Sequence, residues 1–551
     1  MDRSRTKLVC TIGPASAARI GDLVAAGMDV ARINFSHGTP DDHREYVHAV
    51  RAAAHSARRS VAVMADLPGL KIRLGELEGG MITLETGATF TLRRGSRPEA
   101  AAPDPGAPAD EPGAPADKPG APADKLGDTT DPTGTDAASP PQVAVNAPTA
   151  EDAAEAPPAQ DEVDDTAGSA MAVGEASPAA EAPGDASGAS VSTSTLCAQL
   201  EVGDRVLLAD GAAELRVTAI SGPDVVTEVV HGGQVRTRSG VNIPSARLIG
   251  DGLTDDDRAA IPRALELRVD LIAQSFVRRA DDVQSLRQML PADGPRVVAK
   301  IETRAAVDAF DEIVRVADGI MVARGDLGVD IPFEDVPLVQ KDLINRSHKA
   351  DRFSIVATQM LESMTNAPRP TRAEASDVAN AVLDGADALM LSAETAIGGY
   401  PVEALEAMAR ICQATEKGPG SDLNNDDAKH DAAKSIVMSA ALMSRMSDVG
   451  AIWCFTRTGR TAELLSFTQL RVPIVAFTLS PIVARRLAVR RGVIPMILPA
   501  GGKGGPLIER MESAWRAQRS RADFDAVVLV TTSQNPNGIN RVEIHRLSEA
   551  D

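Results

Sequence analysis

Three charged residues in one stretch of the 551-residue chain could together hold a metal ion and a phosphoryl group. Lys300 and Glu302 lie at the end of the apolar run 297–301, and Asp326 follows the apolar run 320–323. Both runs lack polar alternation, and the segment between them has apolar residues at helical spacing, so we predict two buried parallel strands joined by a helix. Parallel α/β folds bind ligands at the carboxyl ends of their strands. Two carboxylates and an ammonium there suit a divalent cation and a phosphate.

Other polar residues end the neighbouring predicted strands and would lie at the same rim. They are Arg32, Asn34, Ser36, His37, Asp66, Lys71, Arg73, Ser275, Arg278, Thr358, Gln359, Ser392 and Glu394. Taken alone, Arg32 or Asp66 is typical of a surface ion pair, but matched positions on successive strands favour one shared active site. Lys300, Arg32 and Arg73 would supply positive charge to a phosphoryl group in transit. The sequence has no His/Cys cluster typical of zinc and no Gly-rich P-loop, so the rim and a lid must hold any nucleotide.

The elements that position these residues predict a (β/α)8 barrel. Three strands alternate with helices before residue 70 and five more do so after residue 250, which gives the eight parallel strands of this fold. The predicted strands are 7–13, 29–36, 60–67, 271–276, 297–301, 320–323, 353–358 and 388–395. We assign residues 1–70 and 246–416 to the barrel, 417–434 to a linker, and 435–551 to a separate C-terminal α/β domain with a regulatory role.

Residues 71–245 interrupt the barrel and read as a small antiparallel β lid domain, because short alternating segments are separated by glycine turns. The middle of this domain, about 95–195, is rich in Pro, Ala, Asp, Gly and Ser and has three GAPAD copies, beginning at Gly106, Gly113 and Gly120. Such a composition cannot bury enough apolar area to offset chain entropy, so we predict a disordered insert. It is either a tolerated loop insertion or a docking arm for a basic partner.

Composition excludes several classes of function. The formal net charge is −20 and aromatic residues make up 3% of the chain, which argues against nucleic-acid binding. The four cysteines, Cys10, Cys197, Cys412 and Cys454, lack a disulfide or zinc spacing. No stretch approaches eighteen apolar residues and no signal peptide is visible, so we expect a cytoplasmic protein with no membrane partner.

Long motifs of the chain resemble the pyruvate kinase family, in order and over nearly all residues outside the insert. The motifs are TKLVCTIGPAS, VARINFSHG, AKIE, IMVARGDLGVDIP, ATQMLESM, PRPTRAEASDVANAVLDGADALMLSAET and GGYP. The resemblance implies transfer of the phosphoryl group of phosphoenolpyruvate to ADP, which gives pyruvate and ATP in the last step of glycolysis. It also implies a cytoplasmic enzyme that assembles as a homotetramer.

The resemblance further implies a role for each matching residue. Glu302 and Asp326 would bind Mg²⁺, or Mn²⁺ in its place. Lys300 would stabilise the phosphoryl group in transit, and Thr358 would lie near the route by which the enolate is protonated. The residues assigned to phosphoenolpyruvate are Arg32, Lys300, Gly325, Asp326 and Thr358. The residues assigned to the nucleotide phosphates are Arg73 and the segment 34–37, which includes Asn34 and His37.

The sequence departs from the family at the position of its potassium site. Asn34, Ser36 and Asp66 match that site, but Leu67 stands where the family has threonine and Lys71 where it has glutamate. A tethered ammonium on Lys71 could supply the charge of the K⁺ ion, so we expect activity without added K⁺. A second departure lies in the lid, where Ser239 replaces a lysine and Arg238 could substitute for it.

A loop of the C-terminal domain resembles the family's effector-phosphate loop. Its residues are Thr456, Arg457, Thr458, Gly459, Arg460 and Thr461. They lie between a predicted strand and a helix N-terminus, which is a natural anion site, although an ordinary βα turn with solvated arginines would look the same. A sugar phosphate or a nucleotide would be the effector.

Two other functions fit parts of the sequence. A barrel lyase or aldolase acting on a pyruvate enolate would also use carboxylates and Mg²⁺, but the lid, Lys300 and the C-terminal domain argue against it. A non-catalytic paralogue could bind the same metabolites, but it would not need to keep Lys300, Glu302, Asp326 and Thr358.

Overall fold

A computed structural model of the chain describes residues 3–69, 72–94, 183–193, 196–243, 252–418, 432–499, 506–518, 524–531 and 541–547. All of these belong to one compact unit, formed by residues 1–97 and 181–551. Most of the predicted insert lies outside the described residues, and so does Lys71.

The chain begins with three strands that alternate with helices. In order they are β1 (Lys7–Ile12), a 3₁₀ helix (Ala17–Arg19), α1 (Ile20–Ala26), β2 (Val30–Asn34), α2 (Pro40–Ser56) and β3 (Ala62–Asp66). Every residue of β1 and β3 is buried, as expected for strands covered on both faces. Helix α2 begins at a capping box, in which Thr39 and Asp42 satisfy each other's backbone N–H groups ahead of Pro40.

The lid domain follows as a set of short strands. They are β4 (Ile72–Arg73), β5 (Met81–Leu84), β6 (Thr89–Arg94), β7 (Gly188–Val191), β8 (Arg205–Leu208), β9 (Ala213–Ser221), β10 (Asp224–His231), β11 (Gly233–Arg236) and β12 (Gly240–Asn242). Its helices are α3 (Leu196–Gln199) and the 3₁₀ helices Glu78–Gly80 and Ala209–Gly211. One sheet has the order β4-β12-β8-β9-β10-β6-β7, and β11 pairs with β5 separately. All pairs are antiparallel except β6 with β7.

Strand β7 corrects the prediction of disorder over 95–195, which is wrong for this segment. The strand pairs in parallel with β6, with Gly188 opposite Thr91. A Cβ at Gly188 would overlap the carbonyl oxygen of Thr91, so the close approach of the two backbones requires glycine here. Small residues in a Pro/Ala/Gly-rich context give no hydrophobic pattern, which is why the composition concealed a strand fixed by backbone pairing.

The second part of the barrel supplies five more strands. They are β13 (Leu271–Gln274), β14 (Arg296–Ile301), β15 (Gly319–Ala323), β16 (Phe353–Ala357) and β17 (Ala388–Leu391). The helices are α4 (Asp255–Glu266), α5 (Ala280–Gln288), α6 (Arg304–Asp308), α7 (Phe310–Val316), α8 (Arg324–Asp330), α9 (Val336–Lys349), the 3₁₀ helix Glu362–Thr365, α10 (Arg372–Leu383), α11 (Ala393–Ala396) and α12 (Pro401–Glu416). The strands close in the order β1-β17-β16-β15-β14-β13-β3-β2, which confirms the predicted (β/α)8 barrel.

The C-terminal domain is an α/β sheet, as predicted. Its elements are α13 (Ala432–Met446), β18 (Ala451–Phe455), α14 (Arg460–Ser466), β19 (Ile474–Thr478), α15 (Pro481–Leu487), β20 (Val493–Ile497), α16 (Leu507–Gln518), β21 (Ala526–Thr531) and β22 (Arg541–Arg546). The sheet order is β20-β19-β18-β21-β22, and only β22 runs antiparallel to its neighbour.

The C-terminal domain closes the amino-terminal end of the barrel. Ala488 and Val489 join the side chains that fill the barrel interior, among them Val9, Leu271 and Phe353. Burial of each large apolar side chain of this kind stabilises the fold by about 1.5–3 kcal/mol. The carboxyl rim of the barrel, at the opposite end, is therefore left for ligands. Within the described part of the chain, no helix combines the length and apolar character needed to cross a bilayer.

Candidate active site

Lys300 lies at the centre of the carboxyl rim, near the end of β14. Its ammonium nitrogen is 2.9 Å from Glu302 Oε1 and 3.4 Å from Asp66 Oδ1, and it donates a hydrogen bond of 2.8 Å to Ser275 Oγ. Burial alone would lower the pKa of Lys300, but the carboxylates of Asp66 and Glu302 outweigh burial and raise the pKa above its ordinary value. Lys300 therefore stays charged at neutral pH.

Asp66 on β3 joins Lys300 on β14 to Arg32 on β2. Arg32 donates from Nε to Asp66 Oδ2 at 2.6 Å, and its Nη1 donates to Thr11 Oγ1 at 3.0 Å. Burial would raise the pKa of Asp66, but the charges of Lys300 and Arg32 outweigh it and hold the pKa below its ordinary value. Asp66 is thus an ionised bridge that fixes two cations side by side at the rim.

The two carboxylate oxygens of Glu302 have different partners. The backbone N–H of Phe276 donates to Glu302 Oε2 at 2.6 Å. The other oxygen, Oε1, is buried and forms an ion pair of 2.9 Å with the Lys300 ammonium. The pKa of Glu302 is raised, chiefly by burial. The charge of Lys300 lowers this pKa, whereas the nearby charge of Asp326 raises it further. A buried carboxylate oxygen next to a second carboxylate is a fitting donor set for Mg²⁺.

Asp326 and Gly325 lie on α8, which begins directly after β15. The Gly325 N–H donates a hydrogen bond of 2.7 Å to Thr358 Oγ1. The Thr358 hydroxyl in turn donates one of 2.6 Å to the carbonyl of Ala357. Thr358 therefore lies directly beside α8, with its hydroxyl in the same small region as Asp326. Among the described residues, no group of three or more His, Cys, Asp or Glu side chains could hold a metal by itself.

The backbone of Thr358 and Gln359 adopts an unusual conformation. Their φ angles are +68° and +55°, a left-handed region that costs a non-glycine residue about 1–3 kcal/mol. Arg324 holds this turn, because its Nη2 donates to the carbonyls of Thr358 at 2.8 Å and Gln359 at 3.1 Å. Asp377 on α10 in turn anchors Arg324 through an ion pair of 2.7 Å. We name Arg324 and Asp377 the Thr358 clamp.

The residues predicted to meet the nucleotide lie beside this group, at the ends of β2 and β4. His37 is exposed, and partial burial, together with Arg73 and Arg32, lowers its pKa. Asn34 Oδ1 accepts a hydrogen bond of 3.2 Å from the Ser36 N–H, which shapes the turn after β2. Arg73 reaches across the lid and donates from Nη1 to the carbonyl of Arg238 at 3.1 Å.

The predicted potassium-site residues are only partly visible. Asn34 and Asp66 are paired neighbours on β2 and β3, and Leu67 is buried where the family has a hydroxyl. Lys71, the proposed replacement for the ion, lies outside the described residues. The side chain of Arg238 pairs with Glu76 at 3.2 Å on the lid surface.

The predicted effector loop lies in the C-terminal domain, apart from the catalytic group. Thr456 Oγ1 accepts a hydrogen bond of 2.9 Å from the Gly459 N–H, and Gly459 has the positive φ of +99° that favours glycine. Arg460 is paired with Asp351 of the barrel at 3.2 Å, whereas Arg457 and Thr458 are exposed. Thr461 is buried at the start of α14.

Sequence reasoning missed two parts of this site. Thr11 was not singled out, although it is a polar residue near the carboxyl end of β1 and the rule applied to the other strands would have found it. Arg324 lies in the motif IMVARGDLGVDIP, but the sequence pattern gives it no role of its own. Its function as a clamp depends on the backbone conformation at Thr358, which no sequence pattern indicates.

A closed parallel barrel with its charged residues at the carboxyl rim defines an enzyme of the (β/α)8 class. Two family models match the chain: the barrel domain of pyruvate kinase over residues 3–102 and 153–405, and the α/β domain of pyruvate kinase over residues 434–545. The chain belongs to the pyruvate kinase family, and it is therefore a phosphotransferase. This membership confirms the resemblance and decides against the lyase or aldolase alternative.

Individual relatives agree with the family models. The chain is 34% identical to a pyruvate kinase of Mycobacterium tuberculosis over 553 residues, which covers 99% of both chains. It is also 34% identical to a pyruvate kinase of Geobacillus stearothermophilus, covering 99% of this chain and 81% of that protein. A crystal structure of a pyruvate kinase from Cryptosporidium parvum superposes with a TM-score of 0.75 at 29% identity, covering 99% of this chain and 97% of that one.

Proposed function

We propose that this chain transfers the phosphoryl group of phosphoenolpyruvate to ADP and releases pyruvate and ATP. The observation that carries the proposal is the charged Lys300, held between Asp66 and Glu302 at the carboxyl rim. It belongs to a chain that matches pyruvate kinases over nearly its full length.

Glu302 and Asp326 would hold Mg²⁺, or Mn²⁺ in its place. Both offer carboxylate oxygens, and Glu302 Oε1 is buried beside the Lys300 ammonium. When bound, the ion would supply positive charge that offsets the negative charge of the phosphoryl group during transfer.

Lys300 and Arg32 would bind the phosphoryl group and stabilise its charge during transfer. The metaphosphate-like group spreads negative charge over its oxygens, and two fixed cations can follow that charge without rearranging. Asp66 keeps both cations in place and, being fully ionised, takes no proton from either.

Gly325, Asp326 and Thr358 would hold the carboxylate of phosphoenolpyruvate. Substrate would displace the hydrogen bond between the Gly325 N–H and the Thr358 hydroxyl and use both groups as donors. After transfer, the enolate needs a proton at carbon, and the Thr358 hydroxyl would lie near the route of a proton delivered through water. Ketonisation of the enol then makes ATP formation favourable.

Arg73, His37 and Asn34 would bind the phosphates of ADP as the lid closes. Partial burial, together with the charges of Arg73 and Arg32, lowers the pKa of His37, so His37 would serve as a neutral hydrogen-bond partner at physiological pH. The C-terminal loop 456–461 would bind the phosphate of a sugar-phosphate or nucleotide effector. This would require Arg460 to leave Asp351.

We further propose a cytoplasmic homotetramer. All four cysteines are free thiols, which fits a reducing compartment. Phe333 and Leu338 expose 82% and 69% of their surface near the start of α9, and apolar side chains of this size fit a contact between subunits.

Potassium should not be required. Lys71 would place an ammonium where the family binds K⁺, and Leu67 removes one of the oxygen ligands of that ion. We expect similar turnover in Na⁺ and K⁺ buffers, and introduction of K⁺ dependence in the double variant Leu67→Thr, Lys71→Glu. A rate in Na⁺ buffer below a few per cent of the K⁺ rate would contradict the replacement.

A coupled assay of pyruvate formation tests the whole proposal. Purified protein should form pyruvate from phosphoenolpyruvate only when both ADP and Mg²⁺ are present. Pyruvate release without ADP would show a different reaction at the same rim. A folded protein that binds phosphoenolpyruvate but forms no pyruvate would be a non-catalytic paralogue.

A further inference from the structure

A cavity between the barrel and the C-terminal domain carries an excess of positive charge. It is lined from the barrel side by Arg5, the end of α10 and the end of α12, and from the other side by Arg445, Gln469, Arg471 and Arg491. About 560 Å³ of unfilled space lies between its walls, open solvent at the mouth included. Among the lining residues that the structure describes, four guanidinium groups face a single carboxylate, that of Glu416.

Glu416 offsets only part of this positive charge, because one carboxylate faces four guanidinium groups. Oε1 accepts hydrogen bonds from the Thr6 N–H at 2.7 Å and the Thr6 hydroxyl at 2.8 Å, and Oε2 accepts one from the Arg5 N–H at 2.7 Å. Its ion pairs are longer, 3.5 Å to Arg5 Nε and 3.9 Å to Arg491 Nη2. Glu416 therefore fastens the N-terminal segment and leaves most of the positive charge in place.

The inner pair of arginines is fixed by backbone carbonyls. Arg5 donates to the carbonyls of Leu470 and Glu416, and Arg491 donates to that of Ala386. Burial lowers the pKa of Arg491, and the charge of Arg5 adds to this effect despite the opposing charge of Glu416. Two part-buried cations are thus held near each other in a rigid wall.

The outer pair of arginines has little to bind within the protein. Arg445 is exposed and makes a single hydrogen bond, 3.4 Å long, to the carbonyl of Thr468. Arg471 is exposed and has no ion pair or hydrogen bond to any residue that the structure describes. Both side chains are free to turn towards a ligand in the cavity.

Gln469 adds a donor without an acceptor. Its Nε2 is buried and makes no hydrogen bond to a described residue. The Nε2 atom packs so closely against Gly385 that a Cβ on that residue would overlap it. Gly385 also has a positive φ of +94°, which favours glycine. The chain thus brings a buried amide donor into the wall beside the arginines.

From this arrangement we infer that the cavity is a binding site for a small phosphorylated metabolite, recognised through its phosphate group. Guanidinium forks and an amide N–H suit the several oxygens of a phosphate dianion. Val382, Leu383 and Thr415 supply an apolar wall and a hydroxyl for the organic part of the ligand. The site lies at the amino-terminal end of the barrel, and it shares no residue with the catalytic rim or with the loop 456–461. A bound ligand would bridge the two domains.

Calorimetry with glycerol 3-phosphate, inorganic phosphate and glycerol tests this inference on the full-length protein. We expect saturable binding of glycerol 3-phosphate and of inorganic phosphate, no binding of glycerol, and a melting temperature that rises with the bound phosphate. The double variant Arg445→Gln, Arg471→Gln should bind about 100-fold more weakly, since it loses two charge-assisted contacts. Both side chains are exposed, so its melting temperature without ligand should equal that of the unmodified protein.

Three further variants separate this cavity from other phosphate sites. Leu383→Glu places a negative charge in the lining without removing an arginine, and it should weaken binding as well. Lys300→Gln at the catalytic rim and Arg457→Gln in the loop 456–461 should leave this binding unchanged. The inference is overturned if the protein binds no phosphate, if binding survives in the Arg445/Arg471 variant, or if it is lost only in the Lys300 or Arg457 variant.

Discussion

At the scale of single residues, the charge of Lys300 is maintained by its surroundings. A lysine so deeply buried would tend to lose its proton, yet Asp66 and Glu302 lie within 3.4 Å and 2.9 Å of its nitrogen. Asp66 also binds Arg32, so one ionised carboxylate orders both cations of the site. The site therefore meets phosphoryl transfer with its charges already in position.

The variant Lys300→Gln tests the importance of that charge. The glutamine can still contact Ser275, but it cannot stabilise a phosphoryl group, so we expect kcat to fall by about 10³-fold while the fold is retained. Steady-state kinetics with a circular dichroism check would measure this. Lys341→Gln, which removes an ion pair with Asp384 at the barrel surface, is the matched control and should leave kcat unchanged. An equal loss in both variants would rule out a specific role for Lys300.

At the scale of elements, the positions of β16, α8 and α10 decide the conformation of Thr358. A β-branched residue resists a φ of +68°, and the hydrogen bonds from Arg324 supply the opposing force. Arg324 touches no reacting atom, so it is a positioning residue that acts through Thr358.

The variant Arg324→Lys tests the Thr358 clamp. An ammonium cannot span two carbonyls and Asp377 together, so the turn should relax and kcat/KM for phosphoenolpyruvate should fall about 10–100-fold. A positioning role predicts that KM for phosphoenolpyruvate rises while KM for ADP stays nearly constant. The control Arg346→Lys alters an arginine that pairs with two surface carboxylates and should leave both KM values unchanged. Equal changes in the two KM values would indicate general disruption instead.

Strand β7 is the second element with a specific position, because it ties the lid to the segment of Arg73, a residue proposed to bind ADP. Ser192, next to β7, exchanges two hydrogen bonds of 2.9 Å with the backbone of Arg73. Loss of β7 would therefore free the segment that carries Arg73.

Gly188→Val should disrupt this strand, since its side chain would overlap the backbone of β6. We expect KM for ADP to rise several-fold while KM for phosphoenolpyruvate changes little. Gly21→Ala is the control, because a Cβ at Gly21 in α1 meets nothing within 4 Å. An unchanged KM for ADP in a folded Gly188→Val protein would show that β7 does not position Arg73.

At the scale of the whole molecule, Asp387 fastens the C-terminal domain to the barrel. Its carboxylate accepts from His348 Nε2 at 2.9 Å, the Ser354 N–H at 3.0 Å and, across the domain boundary, Ser466 Oγ at 3.4 Å. Burial would raise the pKa of Asp387, but His348 and Arg490 outweigh it and hold the pKa below its ordinary value.

Asp387→Ala should lower the free energy of unfolding by about 3–5 kcal/mol, because it leaves several buried donors unpaired. Because the pKa of Asp387 is depressed on folding, its contribution is present above the unfolded pKa of about 3.9 and is lost as the pH falls through the folded value. Denaturant titrations at neutral and acid pH would measure the free energy of unfolding of both proteins. The difference between the variant and the unmodified protein should shrink as the pH falls. Asp342→Asn, which alters an exposed ion pair, is the control. It should lower the free energy of unfolding by less than about 1 kcal/mol at either pH. A difference for Asp387→Ala that does not depend on pH would contradict this account.

The sequence alone determined the barrel, its eight strands, the C-terminal sheet and the group of charges at one rim. This was possible because buried parallel strands are short apolar runs, and because the carboxyl ends of such strands must meet at one face. Only the tertiary structure decided the pairing of Lys300 with Asp66, the left-handed turn at Thr358, the strand β7 and the closure of the barrel by Ala488 and Val489. Each of these depends on contacts between residues distant in the chain or on a backbone conformation enforced by neighbours, and local patterns record neither.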